Sequence, residues 1–254
     1  MKILIFNIFV FLTVFEINSF AGSRVIDLMK KIEDLQDMTT DIRARVDLTQ
    51  TKVGQGTKKT NMLYYRRDSD DAFLIVMVAP ESEKGNGYLR VGDNFWMYRR
   101  NTRTFQHINR DESIGGTDAK ADDFEKRKLT ELYDPALDAS GKEEVVPEKL
   151  GAIAVYRFEV KAKVNDVDYP KKIYWVRQDN GLPLKEQSYS LKGTLMQTAY
   201  YMNYTIVSNR YVPVRQLFID EFEKGNKTLV EISGISTERL GSIFNKAYLE
   251  NLSK

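Results

Sequence analysis

The sequence predicts a mainly β protein, a strongly curved antiparallel sheet with helical cover. Three observations predict it. Several segments alternate apolar and polar residues with period two, as strands with one wet face do. Glycine- and asparagine-rich turns punctuate those segments at hairpin spacing. One amphipathic helical stripe precedes them and needs a sheet face to cover it.

The opening residues form a leader pattern. Lys2 gives a positive start, and Ile3 to Phe15 is apolar except for Asn7 and Thr13. Glu16-Ile17-Asn18 breaks the run, and Ser19-Phe20-Ala21 offers the small residues a signal peptidase reads. A spanning helix needs roughly 20 apolar residues, and this run is shorter. The expectation is a cleaved signal peptide over 1–21 and a single domain over 22–254. The export it implies leads to the periplasm. Cysteine is absent, so disulfides and a lipidated cysteine are both excluded and the core alone must supply stability. Lys plus Arg total 38 against 36 Asp plus Glu. That balance describes a mixed-charge surface and argues against nucleic acid as a partner.

Val25, Ile26, Leu28, Met29, Ile32 and Leu35 recur at helical spacing, with Ser23 placed as N-cap. Strands follow. Ile42, Ala44, Val46 and Leu48 alternate with polar residues. Tyr156, Phe158, Val160, Ala162 and Val164 do the same, and Tyr200, Met202, Tyr204 and Ile206 repeat it. Each run predicts one buried face. Phe73 to Val78 is apolar throughout and predicts a strand covered on both sides. Gly85-Asn86-Gly87, Gly92-Asp93-Asn94, Asp179-Asn180-Gly181, Lys192-Gly193 and Lys224-Gly225-Asn226 mark hairpin turns. About ten or eleven strands follow from this reading. Asp111 to Arg127 reads as a long interruption, and Ser140 to Leu150 as a shorter polar loop.

Catalytic signatures are sparse. His107 is the lone histidine, so a multi-histidine zinc site cannot form, and no Gly-x-Ser-x-Gly elbow or phosphate loop occurs. The carboxylate pairs Asp122-Asp123, Asp220-Glu221 and Glu143-Glu144 sit in charged surroundings, without apolar neighbours to raise one pKa. The expectation is a protein without cofactor, metal or catalytic residues.

The segment Tyr88-Leu-Arg-Val-Gly-Asp-Asn-Phe-Trp-Met-Tyr98, followed by Asn101-Thr102-Arg103, resembles the outer-membrane lipoprotein-sorting family of the LolA/LolB superfamily. Further blocks are similar in order: Arg127 to Tyr133, Lys172 to Val176 with Leu182 to Glu186, and Phe244 to Leu249. Gly115-Gly116-Thr117-Asp118 with Asp122-Asp123-Phe124 resembles a family loop, but its phenylalanine and aromatic partner are replaced in Thr117 to Lys120. The resemblance implies an unclosed (half) β-barrel of about eleven strands with helices over its mouth. It also implies a periplasmic carrier or chaperone of acyl chains, with an acylated lipoprotein or phospholipid as cargo and an inner-membrane transporter as a further partner. Phe95-Trp96-Met97-Tyr98 is apolar on both faces, and methionines such as Met62, Met77 and Met97 suit an adaptable cavity. The residues expected to line it are Val46, Leu48, Leu74, Val76, Phe95, Met97, Tyr156, Phe158 and Trp175. Two alternatives stand beside the carrier: a non-enzymatic adaptor or accessory of a membrane export system, and a hydrolase using His107 with a carboxylate and a serine.

Overall fold

The computed structural model describes residues 23–109 and 128–253. The leader expected over 1–21 and the whole of the Asp111 to Arg127 interruption lie outside these residues. Helix α1 (Arg24–Gln36) begins where Ser23 Oγ accepts from the Ile26 amide at 3.0 Å. A capping carboxylate from far along the chain joins it. Glu143 accepts from the Ser23 hydroxyl and from the Arg24 amide, placing negative charge at the helix N-terminus. Val25, Met29 and Ile32 are the buried stripe.

Fourteen strands follow among the described residues. They are β1 (Ile42–Lys52), β2 (Gly56–Arg67), β3 (Ala72–Ala79), β4 (Gly87–Val91), β5 (Asn94–Arg99) and β6 (Thr104–His107). After the short helix α2 (Leu129–Leu132) come β7 (Tyr133–Pro135), β8 (Val145–Leu150), β9 (Ile153–Ala162), β10 (Lys171–Arg177) and β11 (Pro183–Tyr189). Strands β12 (Leu195–Val207), β13 (Arg210–Asp220) and β14 (Lys227–Ser236) complete the sheet before α3 (Lys246–Leu252). All pairings are antiparallel, in the order β6-β5-β4-β3-β2-β1-β14-β13-β12-β11-β10-β9-β7, with β8 also on β9. The sheet does not close into a barrel, as expected. All five glycine turns join paired neighbours.

The strand count exceeds eleven, and two of the short strands, β7 and β8, carry little pattern. Ser140 to Leu150 was expected to be a loop, yet Val145 to Leu150 pairs with Phe158 to Ile153. Pro147 disguises it, and an outer strand tolerates a proline because one edge needs no amide donor.

Paired residues share a face of the sheet, so register identifies the two faces. One row runs Gln50, Thr228, Phe218, Ala199, Glu186, Tyr174 and Phe158. A parallel row runs Leu48, Val230, Gln216 and Tyr201. We call this the inner face, because α1 packs on it over Phe158, Val160, Tyr174 and Val176. On the outer face, α3 and its approach cover β2 to β5 through Ile243 and Leu249 against Leu74, Val76, Leu89 and Tyr98. Gly87 makes that seat possible. A Cβ there would lie 2.5 Å from Leu249 Cδ1 and 2.7 Å from the Ile75 carbonyl oxygen.

Candidate inner-face binding site

The inner face has three zones. Over β1 to β5, Val46, Leu48, Met62, Phe73, Ile75, Met77, Tyr88, Phe95 and Met97 are buried together. Phe73 and Phe95 meet edge-on at 5.4 Å. Over β9 and β10, α1 seals the second zone. Between them lie β14, β13 and β12, where the inner-face residues Val230, Ile232, Val212 and Phe218 are only half-buried. Val230 and Ile232 pack against the first zone, so this strip continues its apolar surface.

The strip ends at a polar cluster. Lys172 Nζ lies 2.6 Å from Glu186 Oε1. The Ser188 hydroxyl donates to the same oxygen at 3.2 Å, and the Tyr201 hydroxyl donates to Oε2 at 3.2 Å. The Lys172 ammonium also sits over the Tyr133 ring at 5.8 Å. Tyr174, stacked on Phe158 at 5.5 Å, has its phenol pushed well above the usual range. Burial is the main cause and the neighbouring Glu186 carboxylate adds to it. A charged pair held by two hydroxyls therefore adjoins a half-buried apolar strip. That pairing of surfaces suits a molecule with an apolar chain and a polar end.

Of the nine residues expected to line a cavity, the sheet places six on the inner face: Val46, Leu48, Phe95, Met97, Tyr156 and Phe158. They fall in two groups, the first four in one buried zone and the last two under α1. Leu74 and Val76 stand on the outer face beneath α3. Trp175 also faces outward, paired with Lys185 and Arg157, with the Lys185 ammonium 4.2 Å from its ring centroid. Strands β3 and β10 are apolar on both faces, so alternation gives no sign of which side points in.

The reading of β12 is corrected likewise. Its alternating run Tyr200, Met202, Tyr204 and Ile206 is the outer set, with Met202 44% and Ile206 63% exposed. The inner set contains Ala199 and Tyr201, and Tyr201 serves the polar cluster. Sequence reasoning missed Phe218, Val230 and Ile232. For Phe218 the available signal was β13, whose Val212, Val214, Leu217, Phe218 and Ile219 are apolar on both faces.

The other candidates have structural roles. His107 is exposed on β6, its ring 6.0 Å from Trp96 and edge-on to it. Glu143 caps α1, and Asp220 Oδ1 accepts from the Phe222 and Glu223 amides of a turn. Asp122-Asp123 lies outside the described residues. Among those residues no group of three His, Asp or Glu could hold a metal ion. None of their helices is long and apolar enough to cross a membrane.

A family model described as "Uncharacterized protein"-like matches residues 69–251. Several solved structures share the fold. A putative outer membrane lipoprotein-sorting protein domain from Vibrio parahaemolyticus superposes with a TM-score of 0.74 at 16% identity, covering 89% of this chain and 97% of that one. A LolA superfamily protein from Nitrosomonas europaea gives 0.70 at 20% identity over 88% and 98% of the two chains. A DUF1329 family protein from Desulfovibrio piger gives 0.70 at 20% identity over 89% and 96%. No curated protein matches the sequence.

Proposed function

The chain belongs to the family whose model spans residues 69–251, and its fold is LolA-like; from this premise we propose that it is a carrier of acylated molecules. It works outside the cytoplasm and holds an acyl chain against the inner face. The carrying observation is the half-buried apolar strip of Phe218, Val230, Ile232 and Val212, bounded by buried zones on either side and covered at one end by the Met38 cluster, against which Val212 and Ile232 pack. The acyl chain lies along this strip, and the polar end of the cargo meets Lys172, Glu186 and Tyr201. The likeness to a protein described as lipoprotein-sorting supports this reading.

Energetics favour an open strip over a sealed pocket. Each buried methylene gains about 0.8 kcal/mol, so a sixteen-carbon chain gains roughly 12 kcal/mol on leaving water. A bilayer offers nearly the same gain. A carrier that exceeded it by much would never release its cargo, whereas a half-buried surface returns only part of it.

The test is native mass spectrometry with lipid extraction on the exported protein, followed by uptake of a fluorescent fatty acid. Co-purifying acylated molecules at defined stoichiometry are expected. Phe218→Asp and Ile232→Asp should each weaken uptake by about tenfold or more, the loss of roughly 1.5–3 kcal/mol of apolar burial. A clean apo mass together with no uptake would refute the carrier and leave the adaptor reading in its place.

A further inference from the structure

Antiparallel pairing places consecutive hairpin turns along one rim of the sheet. The β1–β2, β13–β14 and β11–β12 turns are neighbours there, since Thr51 pairs with Lys227 and Gln197 with Asp220. Each presents one large apolar side chain to solvent: Val53 at 67% exposure, Phe222 at 67% and Leu191 at 89%. Each also carries a lysine at or beside its tip: Lys52, Lys224 and Lys192.

The tips are firmly built. Asn226 Oδ1 accepts from the Val53 amide at 2.9 Å, locking two turns together. A Cβ on Gly225 would lie 2.6 Å from Val53 Cγ2. In the third turn, the Gly193 amide donates to the Ser190 carbonyl and the Thr194 amide to the Ser190 hydroxyl. Acids are present too and keep their charge, held within the rim: Glu221 accepts from Thr198, Glu223 from Asn226, and Asp220 from two amides.

The opposite rim differs in kind. Its turns contain Asp68, Asp70, Asp71, Asp93 and Asp179, and neither lysine nor arginine. Arg66, Arg67, Arg90 and Arg177 on the adjoining strands form ion pairs with four of those five carboxylates. The rim of the three hairpins, with apolar tips and lysines, is the one suited to a negatively charged sheet of lipid.

We infer that the rim formed by these three hairpins docks on the surface of a bilayer containing anionic lipid, inserting Leu191, Phe222 and Val53. Fixed apolar tips enter the interface without losing much side-chain or loop freedom, and the lysines remain at head-group level. The proposal does not depend on the carrier reading, because the rim would dock whether or not the inner face holds an acyl chain.

Flotation of the full chain with vesicles of phosphatidylethanolamine and phosphatidylglycerol tests it. Leu191→Asp and Phe222→Asp should each lower partitioning about tenfold, whereas Ile206→Asp, exposed near the other rim, should leave it unchanged. Leu191→Trp should add a tryptophan emission that shifts to the blue on vesicles, and circular dichroism should show all variants folded. Three results would overturn the proposal. The wild-type chain could fail to float, or Leu191→Asp and Phe222→Asp could float like wild type. The same substitutions could instead change the sedimenting mass, which would make the rim a contact between copies.

Discussion

Asp41→Asn should detach the C-terminal segment from the outer face. Arg67 grips Asp41 with two bonds, Nε to Oδ1 at 3.0 Å and Nη2 to Oδ2 at 2.7 Å. The Leu240 amide donates to the same carboxylate at 2.8 Å, and Arg67 Nη2 also reaches the Gly241 carbonyl. The guanidinium lies 4.8 Å from the Phe244 ring centroid. One ion pair thus ties the ends of β1 and β2 to the approach of α3. The side chains are 17% and 12% exposed. Breaking a fully buried pair costs about 3–5 kcal/mol, and partial exposure reduces that to roughly 2–3 kcal/mol here. For a domain of this size each kcal/mol shifts the melting temperature by about 2–4 °C, so a drop of roughly 5–10 °C is expected. The pH dependence identifies the cause. The Arg67 hydrogen bond holds the Asp41 carboxyl below its usual value. Its contribution is complete above the unfolded carboxylate value, near ~3.9, and is lost as pH falls through the lower folded value. The gap between wild type and Asp41→Asn should therefore be full at neutral pH and close in acid. Melting curves across pH measure it, with hydrogen exchange over 240–252 as a local readout. A gap that persisted below the folded pKa, or a shift under about 1 °C at neutral pH, would refute the reasoning.

Two further predictions concern the helices. Glu143→Gln removes the carboxylate at the start of α1 and should cost about 1–2 kcal/mol, with faster amide exchange confined to the first turns of α1. Gly87→Ala drives a methyl into Leu249 and should destabilise by about 1–3 kcal/mol. Leu249→Ala alone should cost about 2–5 kcal/mol. Because the two sites touch, the double variant measured by chemical denaturation should cost less than the two single changes together.

Much of this fold was legible because the local signals agree with the global one. Ile42 to Leu48 alternates because β1 has one core-facing side, and every glycine turn identified joins paired strands. Ser23 could be read as a cap because its hydroxyl serves the first helical turn. What escaped was facing. Strand β12 alternates clearly, yet its apolar residues point out and its inner positions include Ala199 and Tyr201. The apolar side of a strand signals burial only where something covers it, and the outer side of β12 lies beyond the reach of α3. Leu74, Val76 and Trp175 escaped for a related reason, since a strand apolar on both faces carries no directional mark. The polar cluster joins Lys172 and Glu186 across adjacent strands, a contact made only after the sheet assembles. Strand β11 hints at it by placing Glu186 and Ser188 on a buried face.

The two helices brace the sheet from opposite sides: α1 stiffens β9 and β10 from within, and α3 stiffens β3 to β5 from without. Strands β12 to β14 are braced only where α1 touches β13, with Arg210 Nη1 donating to the Asp34 carbonyl. In mechanical terms the molecule is two stiff plates joined by a thin leaf, and bending strain would gather in that leaf. Opening or narrowing the strip would then change its width while leaving both packed plates intact. Chains of different thickness could be accommodated by flexing at the spine, without repacking a core.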